Sequence, residues 1–174
     1  MDTSSRAARK AHAASTKARP RIGYKRIKGV LWFTRQVSQA TPIQLVDVER
    51  RGVEGLLIKD LATKMEVPHV HFFRMLGVPK STVAMKASAG QVISGTGGQA
   101  ALGVVKLLGV AQGIIDNSTS PDAAGFDVAK WFGRWIERPQ PSLGGKKPSE
   151  FLDTPTGIEI VARLLGAMES GAYL

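Results

Sequence analysis

The stretch SLGGKKPSEFLDTPTGIEIVARLLGAMESGAYL, residues 142–174, reads as a glycine hinge, a short helical turn and a capped amphipathic helix. Gly144 and Gly145 tolerate backbone angles that a Cβ disfavours, so Leu143-Gly144-Gly145 is read as the hinge. Pro148 suits the start of a helical turn over Ser149 to Leu152, because its missing N–H costs nothing there. Thr154 before Pro155 is a second helix start. Ile158, Val161, Leu164, Leu165 and Met168 then recur at three- and four-residue steps, with Glu159, Arg163 and Glu169 off the stripe. Gly171 suits the left-handed residue that closes a helix. Ala172-Tyr173-Leu174 ends in an aromatic ring, an aliphatic side chain and a carboxylate. A solvated terminus is usually polar and frayed, so this one is expected to dock on another surface.

Working outward from this stretch, the order P-x-x-L-G-G-x-x-P-x-x-[FL]-L-D-T-x-x-G, an amphipathic helix and a G-x-[YF]-L end resembles the toxin-binding domain of Xre/MbcA/ParS-type antitoxins. It is carried by Leu143, Gly144, Gly145, Pro148, Phe151, Leu152, Asp153, Thr154, Gly157, Gly171, Tyr173 and Leu174, with Pro139 or Pro141 ahead of them. The resemblance implies a RES-domain toxin as partner, one that consumes NAD or transfers its ADP-ribose. It further implies toxin contacts at Leu143, Gly144, Gly145, Arg163, Tyr173 and Leu174, and a homodimer that represses its own operon.

Length, charge and cysteine usage set outer limits. The 174 residues hold one domain, or two small ones and a tail. With no cysteine, thiolate metal sites, disulfides and cysteine nucleophiles are excluded. The apolar run from Ala100 to Ile115 is broken by Lys106 and Gln112 and reads as too short to span a membrane, and no secretory signal is visible; a cytoplasmic protein is the expectation. Charge is uneven: residues 1–28 carry nine Lys/Arg against Asp2, a net +8 of the chain's +10. Residues 1–21, rich in Ala, Ser and Arg without apolar periodicity, read as disordered when free. The arm fits a DNA-backbone contact, an organelle presequence or a solubility tail, the first being favoured.

Between arm and C-terminal stretch the periodicity is helical. Residues 22–40 read as a short helix or an extended packing segment; Thr41-Pro42 opens a helix that Gly52 closes, and Leu56, Leu57, Leu61 and Met65 mark another over Glu54 to Glu66. VPHVHFFRMLGVPKSTVAMKAS then gives a helix over His69–Leu76, the tight connection Gly77-Val78-Pro79 and a second helix from Pro79 to about Ala87. Helix, glycine turn, helix is the helix-turn-helix arrangement, here about residues 69–87. Its second helix would offer Lys80, Ser81, Thr82, Met85 and Lys86 to DNA. Lys25 and Arg26 are the nearest arm residues that would add phosphate contacts. The segment is similar to the helix-turn-helix half of the same family, with fewer basic residues than that pattern. His69 and His71, two apart on a helix, point to different faces and do not make a metal site.

Gly95-Thr96-Gly97-Gly98-Gln99-Ala100 follows an apolar run and precedes Asp116 by 21 residues from Gly95, the spacing of a dinucleotide fingerprint. No strand–helix repeat surrounds it, so it is read as a flexible loop feeding a helix from about Gln99 to Ile115. Gly103, Gly109 and Gly113 in that helix imply close approach of a neighbour or a dimer partner. Residues 122–137 read as one helix with Trp131 and Trp135 on a shared face, as core rather than a ligand platform.

The sum is an all-α chain in three parts: a basic arm (1–28), a helical domain with the helix-turn-helix (29–116) and a small helical toxin-binding domain (117–174). No catalytic constellation, cofactor site, metal site or small-molecule substrate site is legible. The expected function is an antitoxin that covers a RES-domain toxin's active site and binds operator DNA. The alternatives are a helix-turn-helix regulator without a toxin and, further off, an NAD-binding enzyme built on Gly95 to Ala100.

Overall fold

The computed structural model describes residues 21–169. Arg26–Lys28 forms a 3-10 turn, and α1 (Val30–Ser38) follows, so of the segment 22–40 that left two readings the second half is a helix and residues 22–25 are not. α2 (Pro42–Arg51) starts on a reciprocal cap: Gln44 N–H donates to Thr41 Oγ1 at 3.3 Å, and Thr41 N–H donates to Gln44 Oε1 at 3.0 Å. Gly52, at φ +90°, turns the chain into β1 (Val53–Glu54). α3 (Gly55–Lys64), α4 (His69–Met75) and α5 (Lys80–Ser88) follow. β2 (Val92–Ile93) then pairs antiparallel with β1, Val53 opposite Ile93 and Glu54 opposite Val92. This two-residue ribbon is the sole sheet among the described residues, and the fold is all-α apart from it.

α6 (Gly95–Asp116) begins four residues earlier than its propensity suggests. The glycine-rich start is no loop. A Cβ on Gly98 would strike the Ile93 carbonyl, and one on Gly97 would strike Val78, so glycine is what lets the helix lie on the ribbon and on the α4–α5 turn. Tertiary contact overrides the weak helix propensity of glycine here. Farther along, Gly103 receives Ile158, whose Cγ1 would sit 2.7 Å from an added Cβ, and Gly109 receives Ser38 and Thr34 of α1. Gly113 has open space around it. At 22 residues α6 is long and apolar enough to cross a membrane by length and composition, but half of its residues are buried among the other helices. That burial explains its hydropathy.

The C-terminal part folds back on α6. α7 (Val128–Trp135) is shorter than the 122–137 reading. A 3-10 turn at Pro121–Ala123 and Gly125 at φ +79° break the segment, and Asp127 restarts it by accepting the Lys130 N–H at 3.1 Å. Two more 3-10 turns, Pro141–Leu143 and Pro148–Phe151, lead to α8 (Pro155–Glu169). The buried apolar cluster is continuous from Tyr24 to Leu165, with Phe33, Leu57, Phe72, Leu107, Phe132 and Leu165 all excluded from solvent.

Two substitutions separate packing glycines from tolerated ones. Gly98→Ala should lower unfolding stability by about 1–3 kcal/mol through overpacking, whereas Gly113→Ala should leave it unchanged or raise it by up to about 1 kcal/mol. Urea unfolding of both variants is the measurement; a Gly98→Ala protein as stable as the parent would refute the close approach.

Candidate functional site

The segment that opened the sequence reading folds as local chemistry dictates. Gly144 and Gly145 stand at φ +65° and +81°, both left-handed. Around them Leu143 and Gly145 N–H donate to the Gln140 carbonyl at 3.0 Å each, and Gln140 N–H donates to the Lys146 carbonyl at 2.9 Å. The hinge is thus a closed, hydrogen-bonded turn. Ser149 N–H donates to the Ile136 carbonyl at 2.9 Å, tying the next turn to the end of α7. Thr154 Oγ1 accepts the Gly157 N–H at 3.1 Å and caps α8. A Cβ on Gly157 would strike the Phe151 carbonyl, which accounts for the spacing of the D-T-x-x-G run.

α8 buries Val161, Leu164 and Leu165, with Ile158 and Met168 half-buried against the same core. Leu143 is partly buried against the core. Arg163 stands on the solvent side, its guanidinium 3.6 Å from Glu159 one turn back, a pair too exposed to add much stability. It remains accessible to a partner. Gly171, Tyr173 and Leu174 lie outside the described residues. Trp131 and Trp135 stack at 5.7 Å with Phe126 tilted against Trp131; Trp135 is buried, Trp131 half-buried and Phe126 exposed.

The helix-turn-helix reading has a matching geometry. Gly77, at φ +64°, and Val78, buried and donating its N–H to the Phe73 carbonyl at 2.9 Å, form the connection between α4 and α5. Val83 anchors α5 in the core, while Lys80, Ser81 and Met85 are exposed and Thr82 and Lys86 partly so. These five share one short helix. Lys86 Nζ donates to Gln91 Oε1 at 3.1 Å, a neutral partner that leaves its charge uncompensated. Lys25 and Arg26 are exposed near the 3-10 turn that packs on α3, and Arg26 Nε lies 3.6 Å from Asp60. Tyr24 Oη donates to the same carboxylate at 2.6 Å; burial and then this bond push the phenol's ionisation above its ordinary range.

One polar cluster had no sequence signal. His71 on α4 bonds Glu137 Oε1 at 2.9 Å, Lys147 Nζ donates to Glu137 Oε2 at 3.2 Å, and Arg74 Nη2 bonds His71 Nδ1 at 2.9 Å. It joins the first helix of the helix-turn-helix to the end of α7 and to the turn carrying Gly144 and Gly145. Burial alone would raise the Glu137 carboxyl, but hydrogen bonds from His71 and Lys147 outweigh it and hold the group below its ordinary range. The other histidine of the pair, His69, bonds Thr63 Oγ1 at 2.9 Å, so the two rings have separate partners.

Comparison with known proteins bears on both halves. A family model described as the antitoxin Xre/MbcA/ParS C-terminal toxin-binding domain matches residues 124–171, from the approach to α7 through α8. A protein of Sphingobium sp. (strain YBL2), named Prs ADP-ribosylating antitoxin, is 32% identical over 135 residues, which cover 78% of this chain and 84% of that protein.

Because the folded Glu137 carboxyl is depressed, its contribution to stability is present above the ordinary value of 4.5 and is lost as pH falls through the folded value. Glu137→Gln should therefore cost up to about 1 kcal/mol at neutral pH and flatten the stability–pH curve below the ordinary carboxyl range. Chemical denaturation at stepped pH reads this, and parallel curves for parent and variant would contradict the pairing.

Proposed function

This chain belongs to the Xre/MbcA/ParS-type antitoxin family, and from that premise we propose that it neutralises a RES-domain toxin by covering the toxin's active site with its C-terminal region. The toxin consumes NAD or transfers its ADP-ribose, a class in line with the words Prs ADP-ribosylating in the relative's name. The observation that carries the reading is where the family match falls. Residues 124–171 include the closed glycine turn, the threonine cap and the glycine-packed start of α8, which together hold that helix on a rigid support. A short apolar end on a fixed helix fills a pocket at small ordering cost. Tyr173 and Leu174 are the residues assigned to that pocket, with Leu143, Gly144, Gly145 and Arg163 as flanking contacts.

The same chain binds operator DNA as a homodimer through α5 and represses its own operon. Support comes from the helix–turn–helix path of α4 and α5 and from the exposure of Lys80, Ser81 and Met85. Lys80 and Lys86 act on phosphates and Ser81, Thr82 and Met85 on base edges, with Lys25 and Arg26 adding sequence-independent attraction.

Co-expression with the toxin tests the first part. A chain lacking Ala172–Leu174 should lose neutralisation while keeping its DNA affinity; full protection by the shortened chain would overturn the assignment. For the second part, Lys80→Ala with Lys86→Ala should weaken binding to duplexes of the upstream region about equally across sequences and reduce the salt slope by about 1.8, at roughly 0.9 per lost phosphate contact. An unchanged slope would remove α5 from the DNA.

A further inference from the structure

α7 is bolted to the entrance of the helix-turn-helix. Gly133 lies so close to the Met65 carbonyl that a Cβ there would clash, Lys130 Nζ pairs with Glu66 Oε1 at 2.8 Å, and Lys64 Nζ pairs with Asp127 Oδ2 at 3.0 Å. Glu66 is the one described non-glycine residue at positive φ, +57°, in the turn between α3 and α4, and its pair with Lys130 crosses to α7. One stripe of α7 and its C-terminal turn (Lys130, Gly133, Glu137) therefore faces the α3–α4 turn and α4. Arg134 and Arg138 lie beside that stripe at helical spacing, both exposed.

The charges on this face do not cancel. Lys130 is matched by Glu66, and Glu137 by His71 and Lys147, but neither Arg134 nor Arg138 is assigned an ion pair or side-chain hydrogen bond among the described residues. Both arginines line a groove of ≈390 Å³ together with Val67, Pro68 and His71 at the N-terminal end of α4 and with Gly133, Glu66 and Glu137, whose two carboxylates are the ones already held by Lys130 and by His71 and Lys147. Arg74, on the same face of α4 as His71, adds a third cation whose described partner is the imidazole. In a helix-turn-helix the first helix crosses the phosphate backbone while the second enters the groove. The unpaired arginines thus flank the end of the element that meets the backbone, and α5 itself carries just two lysines.

We propose that Arg134 and Arg138, on the toxin-binding segment, form a second phosphate-contact station for DNA beside the N-terminus of α4. The proposal rests on the DNA-binding reading of α4 and α5. Arginine suits the role because its planar fork bonds two phosphate oxygens at once. The station makes part of the toxin-binding segment part of the DNA-binding surface, so a toxin bound there competes with, or is oriented by, the backbone.

The test is a salt series of fluorescence-anisotropy titrations on the full chain, with duplexes from its own upstream region and unrelated duplexes. Arg134→Gln with Arg138→Gln should weaken both alike and lower the slope of log K against log salt by about 1.8. Arg134→Lys with Arg138→Lys, which keeps both charges, should restore most of that slope. An unchanged slope in the glutamine variant, with the native chain binding DNA, overturns this station alone. If the native chain binds neither duplex, the DNA reading falls and takes the station with it. Loss of toxin affinity with DNA binding intact assigns the surface to the protein partner and overturns the proposal as well.

Discussion

Close approach to the backbone of α6 is the constraint on which the rest of the molecule depends. At Gly97 and Gly98 the helix rests on Val78 of the α4–α5 turn and on Ile93 of the ribbon; at Gly103 it receives Ile158 of α8; at Gly109 it receives Ser38 and Thr34 of α1. Each glycine weakens the isolated helix by up to about 1 kcal/mol relative to alanine. Dispersion and apolar burial gained along a fully packed surface outweigh that loss. A helix with side chains at these four positions would hold its neighbours off.

Two surfaces are positioned by this one spine. The α4–α5 turn is held against the start of α6 through Val78, and α8 against its middle through Ile158. α7 packs on α6 and is linked to α3 and its following turn by Lys64–Asp127 and Lys130–Glu66, while Glu137, just past its end, reaches His71 of α4. Glu137 also holds Lys147, next to the closed turn of Gly144 and Gly145. The part matched by the toxin-binding family model and the part shaped as a helix-turn-helix therefore share a core and a polar joint.

Features set by neighbouring residues were legible from the sequence, and features set by distant ones were not. Thr41, Thr154 and the Gly77 connection were readable because a cap or a left-handed turn is decided within a few residues. The stripe of α8 and the kinship of residues 142–171 to the antitoxin domain were readable for the same reason. By contrast, the glycines from Gly95 to Gly98 look like a loop or a nucleotide turn until Ile93 and Val78 are placed against them. The end of the 122–137 helix reading came from Gly125 and the Asp127 cap, a local signal hidden under a strong apolar period. His71, Glu137 and Lys147 carry no pattern at all, since 66 residues separate the first two.

α6 binds the two halves into one cooperative body. Amide exchange in stepped urea measures this directly, by comparing the opening free energy of core amides in α3, such as Leu57 and Leu61, with that of Val161 and Leu165 in α8. The account predicts that the two sets converge on a single global opening. Exchange of the α8 amides through a lower-energy opening that leaves α3 protected would contradict it.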